Sequence, residues 1–401
     1  MPDKKRFSIG FAIAALILIV PAFLRAQEGV AVPPPEPVRC VLDDAACVQR
    51  AGRQDQEVVF TTADGTLITD PSGNALTDLE AARRRLQEPG QGAWRTYDFQ
   101  PGAKVLFATD FAGVPVGRFP ADQLEYVEGS AQVVEKDGSR VLELTDVTRF
   151  RVNLPDPLPK DFTLEFAART GAPNMRINVY FVPRDVPIGR YEHPYVSVWR
   201  DAGIALKGRS VSSTDSYLVI VERMVPVRYR MEGEYAILYL DAMRAANMPS
   251  ASIPRSTTIE FEVDANRNRP AYLGEIVVAS GGGSLEQALA ESGSFTTRGI
   301  VFTDGGDALR PESTAVLESI RRLLESSPDL AIVVEDHTVD DMELSERRAN
   351  AIARYLIESG IAAERVTAVG KAGTEAIADA NTPSGRLENR RVQVRTRKEG
   401  E

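Results

Sequence analysis

The fold of this chain is decided by VEDHTVDDMELSERRA, residues 334–349, near its C-terminal end. This stretch joins a short apolar run, residues 330–334, to a segment with helical periodicity, and the turn between them carries His337, one of only two histidines. On a helix over residues 342–359, at about 100° per residue, the apolar side chains share one face. They are Leu344, Ala351, Ile352 and Tyr355, with Leu356 at the margin. The pattern predicts a strand, a turn and an amphipathic helix, in that order.

One arginine falls within this apolar face. Arg348 lies in its middle, whereas Arg347 points about 100° away. An unpaired charge in a protein interior is costly, so a guanidinium at that position needs a partner or a polar cleft. The turn before the helix supplies the nearest acids, Asp336, Asp340 and Asp341. We therefore expect a polar cleft where the turn meets the helix, with Arg348 as its central residue.

Several sequence pieces follow one another through the C-terminal region. They are GIVFTDGGDALRPES (299–313), the His337-Thr338 turn, LSERRA (344–349), GIAAERVTAVG (360–370) and NTPSGRLENRRVQV (381–394). Their order and spacing resemble the OmpA-like peptidoglycan-binding domain. The resemblance implies a cleft of strand, turn and helix that binds the diaminopimelate of the peptidoglycan stem peptide.

The resemblance also implies roles for individual residues. The arginine of the family's LSxxRA motif maps onto Arg348 and would take a carboxylate of the ligand, in agreement with the helical-wheel argument. In the family an aspartate directly follows the His-Thr pair, whereas this chain has Val339 there and a shorter loop before LSERRA. We expect Asp340 to take that role, or Asp341 in its place. The predicted peptidoglycan-binding residues are Arg348, Asp340, Asp341, Thr338, His337, Asn389 and Arg391.

The last piece, NTPSGRLENRRVQV, admits two interpretations. In the family its asparagine and arginines close the floor of the cleft near the bound peptide, which assigns that role to Asn389 and Arg391. The alternative is that Asn389 fixes a turn and the arginines pair with acids such as Glu388.

Periodicity predicts the architecture of residues 299–397. The expected elements are a strand at 300–302, a helix opened by Pro311, a strand at 330–335, the Arg348 helix, a strand at 365–369 and a last strand through Val392 and Val394. The helix opened by Pro311 carries a face of Val316, Leu317, Ile320, Leu323 and Leu324. This order predicts a two-layer α/β domain in which the helices cover one face of the sheet.

Residues 97–280 consist of short apolar runs separated by turn residues. The runs are KVLFATDF (104–111), RVLELTD (140–146), FTLEFAA (162–168), INVYFV (177–182), YLVIV (217–221), YAILYLD (235–241), TIEFEV (258–263) and GEIVVA (274–279). Alternating residues with regularly spaced turns predict an antiparallel β-sandwich. The phrases at 105–120, 158–166 and 239–249 also resemble the concanavalin A-like, jelly-roll domain that precedes OmpA-like domains in some exported bacterial proteins.

Relatives of that sandwich include lectins and glucanases, and a glucanase needs catalytic carboxylates. Retaining glucanases place two carboxylates on one strand face, as in E-x-D-x-x-E, to serve as nucleophile and acid. The nearest match is Glu262 and Asp264, but Arg267 stands where the second glutamate belongs, and the acids of this strand are expected on its solvated side. The sequence has no G-x-S-x-G or H-E-x-x-H motif. We predict no enzymatic activity, no metal and no cofactor.

The sequence of the N-terminal region predicts that the chain is exported. Residues 1–26 place basic residues before an apolar run and end in a small residue, the pattern of a secretory signal peptide; the alternative is an uncleaved membrane anchor. Residues 27–96 are predicted to be a proline-rich spacer and a partly ordered lead-in, in which Cys40 and Cys47 form a disulfide. Residues 281–298 are predicted to be a glycine-rich linker.

The charge of the chain limits its partners. The formal net charge is −10, and removal of residues 1–26 takes away four basic residues and one acid, which leaves −13. Such a chain repels nucleic acid and anionic lipid headgroups, so neither is expected as a partner.

Three hypotheses follow. The first is a non-enzymatic periplasmic protein, associated with the cell wall and outer membrane, that binds peptidoglycan through residues 299–397 while the sandwich binds another ligand or partner. The second is an envelope scaffold whose C-terminal domain has lost its ligand and mediates protein–protein contacts. The third is a glycan-binding or glucanase-like sandwich.

Overall fold

The computed structural model describes residues 36–398, apart from residues 43, 55, 63–64, 71, 183–193, 200–201, 207–208, 214–218, 282–284 and 339. The predicted signal peptide, residues 1–26, lies outside the described residues, as does the start of the predicted spacer. Within the described part of the chain, no helix has the length and apolar character needed to cross a membrane.

A small module precedes the β-rich region. Its elements are β1 (Val38–Val41), α1 (Ala45–Arg53), β2 (Val58–Thr61) and α2 (Leu79–Arg85), and the two strands run parallel. The predicted disulfide between Cys40 and Cys47 is confirmed and ties β1 to α1. This stretch was expected to lack the apolar surface for a core, but it buries a small cluster of Phe60, Ile68 and Ala82.

Two antiparallel sheets make up the β-rich region. Its strands are β3 (Lys104–Thr109), β4 (Glu125–Glu128), β5 (Ala131–Lys136), β6 (Ser139–Leu144), β7 (Thr148–Asn153), β8 (Phe162–Arg169), β9 (Ile177–Val182), β10 (Tyr195–Val198), β11 (Ala202–Leu206), β12 (Arg209–Ser213), β13 (Val225–Glu232), β14 (Tyr235–Leu240), β15 (Met243–Met248), β16 (Thr258–Val263) and β17 (Ala271–Ser280). The first sheet has the order β12-β11-β10-β9-β16-β7-β4. The second has the order β15-β14-β13-β8-β17-β6-β5, and β3 also pairs with β17. The inner faces share one apolar core, in which the rings of Phe150 and Phe261 stack at 5.0 Å. The predicted antiparallel β-sandwich is confirmed.

One predicted strand of the sandwich is wrong. Residues 217–221 are predicted as a strand; residues 217–218 lie outside the described part of the chain, and residues 219–221 belong instead to a single helical turn, α3 (Val219–Glu222). A short apolar run fits a buried helical turn as well as a strand. Ile220 of this turn is fully buried in the sandwich core.

The acids of β16 are buried, contrary to the expectation of a solvated strand face. Glu260 is fully buried and Glu262 is 7% exposed. The Nε–H groups of Arg149 and Arg151, on the neighbouring strand β7, each donate to a different carboxylate oxygen of Glu260 at 2.7 Å. Because the carboxylate is paired on both sides, burial of this charge is compensated.

The C-terminal region is a two-layer α/β domain, as predicted. Its elements are α4 (Leu285–Ser292), β18 (Ser294–Thr297), α5 (Thr314–Ser326), β19 (Ile332–Asp336), α6 (Met342–Glu358), β20 (Val366–Gly370), α7 (Pro383–Asn389) and β21 (Val392–Thr396). The sheet order is β18-β21-β19-β20, in which β19 and β20 are parallel and the other pairs antiparallel. Helices α5 and α6 share one apolar core with the sheet.

The first strand of this sheet lies earlier than predicted. Residues 300–302 contribute only an isolated bridge, between Phe302 and Leu309. The first strand is instead β18, which lies inside the predicted linker, residues 281–298, and pairs with β21. The glycines marked this stretch as a linker, but the apolar residues after them are buried in the domain core: Leu285, Leu289 and Phe295.

The outer face of the second sandwich sheet lies against the C-terminal domain. Among the described residues, three ion pairs cross this interface: Asp110–Arg386, Glu165–Arg298 and Glu275–Arg390. In each pair the acid belongs to the sandwich and the arginine to the C-terminal domain. The two domains are therefore complementary in charge where they meet, and the turn residues His337, Thr338 and Asp340 line cavities at their interface.

Candidate functional site

The turn after β19 ends in the N-cap of α6. The carboxylate of Asp341 accepts from the backbone N–H groups of Glu343, at 2.9 Å, and Leu344, at 3.3 Å. An aspartate at this position satisfies amides that have no partner inside the helix. Asp341, predicted as a ligand-binding residue, therefore fixes the start of α6 and so the direction in which Arg348 points.

Arg348 is held firmly in place. Arg348 is only 7% exposed. Nε–H donates to the Gly306 carbonyl at 2.7 Å, Nη1–H to Thr338 Oγ1 at 2.7 Å, and Nη2–H to the Thr303 carbonyl at 3.4 Å. A guanidinium has five N–H donors, so one donor remains on each terminal nitrogen.

The surroundings of Arg348 combine an aromatic ring with several acids. Its guanidinium carbon lies 4.7 Å from the centre of the Phe302 ring, within cation–π range. Burial lowers the pKa of Arg348, and the carboxylates of Asp336, Asp307 and Asp304 oppose that shift. The guanidinium stays charged because an arginine pKa begins far above neutrality.

Thr338 links Arg348 to a buried acid. Its Oγ1 lies 2.8 and 3.0 Å from the two carboxylate oxygens of Asp336, and its backbone N–H donates to the same carboxylate at 3.3 Å. Asp336 is fully buried, and burial raises its pKa. The turn thus contains a chain of polar contacts from Asp336 through the Thr338 hydroxyl to Arg348. Asp336 was named among the acids of the turn but not predicted as part of the site.

A second set of predicted residues lines a cleft of about 420 Å³ on the other side of this turn. The cleft contains Thr338, His337, Asp340, Asn389 and Arg391. The carboxylate of Asp340 is exposed, lies against Gly373 and makes no hydrogen bond or ion pair among the described residues. Asp340 is therefore available to a ligand.

The ring of His337 is buried beside this cleft without a hydrogen-bond partner among the described residues. The residue is 3% exposed, and neither ring nitrogen is paired. Burial, with the nearby positive charge of Arg391, lowers the pKa of His337 to about 4. The ring is consequently neutral at physiological pH.

Asn389 and Arg391 support the wall of the cleft. Asn389 Oδ1 accepts from the amides of Ile377 and Ala378, and its Nδ2 donates to the Ala378 carbonyl. Arg391 is 3% exposed and donates to the carbonyls of Glu375 and Asn389. These contacts match the alternative in which Asn389 fixes a turn, although the arginine bonds to carbonyls and not to an acid.

Arg348 and Asp340 do not line the same cavity. Arg348 lines a separate chamber of about 530 Å³ between the two domains, and Thr338 and Arg390 line both spaces. The structure therefore places the predicted site residues on two sides of one turn. No sequence pattern indicated that the sandwich would form part of the wall around Arg348.

Metal binding finds no support in the described residues, where no group of three or more His, Cys, Asp or Glu side chains is placed to hold an ion.

Comparison with known proteins identifies the C-terminal domain. Residues 301–390 match the OmpA family. The peptidoglycan-binding protein ArfA of Mycobacterium tuberculosis is 31% identical over 101 residues, which cover 24% of this chain and 31% of ArfA. The outer-membrane lipoprotein YfiB of Pseudomonas aeruginosa is 33% identical over 101 residues, which cover 24% of this chain and 60% of YfiB. The solved peptidoglycan-associated lipoprotein of Burkholderia pseudomallei aligns with 20% identity and a TM-score of 0.23, over 24% of this chain and 88% of that one.

The match is confined to part of each protein. The chain spans about a third of the length of ArfA, and the family match leaves the β-sandwich uncovered. The chain thus carries an OmpA-like domain behind a β-sandwich.

Proposed function

We propose that this chain is a non-enzymatic cell-envelope protein that associates with peptidoglycan through its OmpA-like domain. The proposal is supported by the family match at residues 301–390 and by relatives named as peptidoglycan-binding or outer-membrane proteins. The observation that carries it is the state of Arg348: a buried guanidinium, fixed by three hydrogen bonds, with two donors left beside a chamber.

This arrangement suits a ligand carboxylate. A carboxylate can take two parallel N–H donors from one guanidinium, and such charge-assisted pairs are stronger than neutral hydrogen bonds. The contacts of Arg348 to Gly306 and Thr338 fix its rotamer before the ligand arrives, so little side-chain entropy is lost on binding. The ligand we propose is the diaminopimelate of a peptidoglycan stem peptide.

The proposed location is the periplasm, in association with the cell wall and outer membrane, after removal of residues 1–26. The disulfide between Cys40 and Cys47 supports an oxidising compartment. In this proposal the β-sandwich provides a surface for a second ligand or partner.

The acid next to the nearest glucanase match, on the same strand, is poorly placed for catalysis. Glu260, beside Glu262 on β16, is neutralised by two arginines, Arg149 and Arg151. A general acid needs a carboxyl that can take up and release a proton in contact with substrate. A buried carboxylate held between two guanidiniums is poorly suited to that task.

The test is co-sedimentation of the full chain with purified diaminopimelate-type sacculi. Arg348→Lys keeps the charge but loses the planar fork, so we expect sacculus binding to fall by tenfold or more. Arg347→Lys is the matched control, because the neighbouring Arg347 is half exposed and pairs only with surface acids. Equal binding by the wild type and Arg348→Lys would reject this role for Arg348.

A scaffold without a peptidoglycan ligand is the second candidate. The observation in its favour is Val339, which stands where the family has an aspartate. If wild-type protein does not sediment with sacculi, this candidate replaces the first, and crosslinking should then identify a protein partner.

A further inference from the structure

The chamber beside Arg348 is built by both domains. Its walls come from strands β8, β13 and β17 of the sandwich and from the loop and turns around Arg348 in the OmpA-like domain. At about 530 Å³ it falls within the usual size range of small-ligand sites, about 300–1,000 Å³. Four arginines and three acids line it, so it offers donors and acceptors to a charged ligand.

Three residues that line this chamber each carry one buried polar atom without a hydrogen-bond partner among the described residues. The atoms are Glu165 Oε1, Arg228 Nη1 and Arg298 Nε. Buried charged groups in folded proteins are normally paired, so each unpaired atom calls for an explanation. These atoms themselves have almost no exposed surface, but the side chain of Glu165 is 21% exposed and lines the chamber, so a ligand there can reach it.

The fold explains why these groups do not satisfy one another. Glu165 on β8 lies directly opposite Arg228 on β13, but the Arg228 guanidinium rests over the rings of Tyr97 and Phe99. Arg298, whose side chain is 90% buried, donates through Nη2 to the Gly102 carbonyl. Its Nη2 is 3.7 Å from Glu165 Oε1, which is an ion pair but too long for a hydrogen bond.

We infer that the sandwich supplies the acidic half of a site for an amino-acid head group, in which Glu165 takes the ammonium while Arg348 takes the carboxylate. This inference rests on the proposed function, because Arg348 is its anchor. It assigns to Glu165 the role that the family gives to the aspartate after His-Thr, a position occupied here by Val339. The ligand would then be bound between the two domains.

Glu165 fits this role better than the other glutamate of the chamber. Glu275 lies where the register of β17 shifts against β8, and it is paired with Arg390 at 3.4 Å. Burial raises the pKa of Glu275, although Arg390 opposes the shift. The arginine partner of Glu275 is also nearer than that of Glu165, at 3.4 against 3.7 Å, so Glu165 is the less engaged of the two carboxylates.

Two probes that differ only in their ammonium groups test the inference. meso-Diaminopimelate carries two carboxylates and two ammoniums, and pimelate is the same seven-carbon diacid without the ammoniums. Calorimetric titration of the full chain should show tighter binding of diaminopimelate by about tenfold or more, the effect of one charge-assisted contact. Glu165→Gln, which keeps the shape of the side chain, should abolish this preference by weakening diaminopimelate alone.

Glu135→Gln is the matched control, since Glu135 lies on β5 of the same sheet with an exposed side chain. It should leave both affinities unchanged. If Glu165→Gln weakens both probes equally, its effect is structural and the inference is wrong; if it changes neither, or if wild type does not prefer diaminopimelate, the inference is also wrong.

Sacculus binding separates this result from the proposed function. Sacculus binding that depends on Arg348 but not on Glu165 would retain the proposed function and reject the shared site. Diaminopimelate binding that depends on Glu165, without any sacculus binding, would support the shared site and reject association with intact peptidoglycan.

Discussion

Replacement of Thr338 by valine removes one hydroxyl from the turn and keeps the shape of the side chain. That hydroxyl contacts both oxygens of the Asp336 carboxylate and accepts from Arg348. After the change, the Asp336 carboxylate loses its contacts to the hydroxyl but keeps the backbone N–H of Thr338 at 3.3 Å and the influence of Ser345, and Arg348 keeps two of its three hydrogen bonds. Thr338→Val should therefore destabilise the turn and the first part of α6.

The magnitude follows from the burial of the two charged groups. Leaving one buried polar group unsatisfied costs about 1–3 kcal/mol, and more for a charged group. Asp336 is fully buried and Arg348 is 7% exposed, so we expect a loss of about 2–4 kcal/mol. Thr338→Ser retains the hydroxyl and should cost less than about 1 kcal/mol, chiefly for one lost methyl group.

The loss should also depend on pH. Burial already raises the pKa of Asp336, and removal of the Thr338 hydroxyl should raise it further. An acid whose pKa is raised in the folded state contributes its full stabilisation at a pH below its unfolded-state pKa. That contribution is lost as the pH rises through the folded-state pKa. The defect of Thr338→Val should thus be larger at pH 7 than at pH 4.

Hydrogen exchange read by mass spectrometry is the suitable assay, because a chain of several domains has no single free energy of unfolding. The opening free energy of residues 342–358 should fall in Thr338→Val by the stated amount and stay near wild type in Thr338→Ser. A Thr338→Val defect below about 1 kcal/mol, or equal at both pH values, would refute the argument that this hydroxyl compensates the Asp336 charge.

Three other predictions concern the rest of the molecule. Asp110→Asn weakens the ion pair with Arg386, whose two contacts are 2.9 and 3.1 Å, and should lower protection from exchange in α7 by about 1 kcal/mol, given partial solvent screening. His337 has a pKa of about 4, below its ordinary value of 6.5, so between these values the unfolded chain binds a proton that the folded chain does not. The opening free energy of the OmpA-like domain, read by hydrogen exchange, should fall toward pH 4 by about 3 kcal/mol, and His337→Gln should flatten that decline. Reduction of the Cys40–Cys47 disulfide should destabilise α1 by about 2.5 kcal/mol, from its short loop, and leave exchange in α6 unchanged.

The sequence was sufficient to predict the structure where a residue pattern is compatible with only one structure. The helical wheel placed Arg348 on a buried face, and α6 spans Met342–Glu358 with Arg348 buried on it. The alternating runs of residues 97–280 predicted strands because a period of two fits only an extended backbone. Cys40 and Cys47 predicted their own disulfide, since no other cysteine is present.

The wrong predictions arose where a local sequence fits two structures, or where residues distant in the sequence determine the surroundings of a side chain. YLVIV at 217–221 lacks the polar alternation that separates a strand from a buried helical turn. Glu260 was expected in solvent because its sequence neighbours do not show that Arg149 and Arg151 would pair with it from the next strand. Asp336 was passed over as a site residue because its contact with Arg348 runs through the Thr338 hydroxyl.

The interface between the domains connects these observations to binding. Each of the three ion pairs that cross it, within the described residues, gives a sandwich carboxylate to an arginine of the OmpA-like domain. A ligand held between Glu165 and Arg348 would contact both domains, so it would stabilise their docked arrangement in proportion to RT ln(1 + [L]/Kd). By the same linkage, any change that separates the domains must lower the affinity of the protein for this ligand. Asp110→Asn, which touches neither Glu165 nor Arg348 in the structure, should therefore reduce diaminopimelate affinity if the ligand binds between the domains, and should leave it unchanged if the OmpA-like domain binds alone.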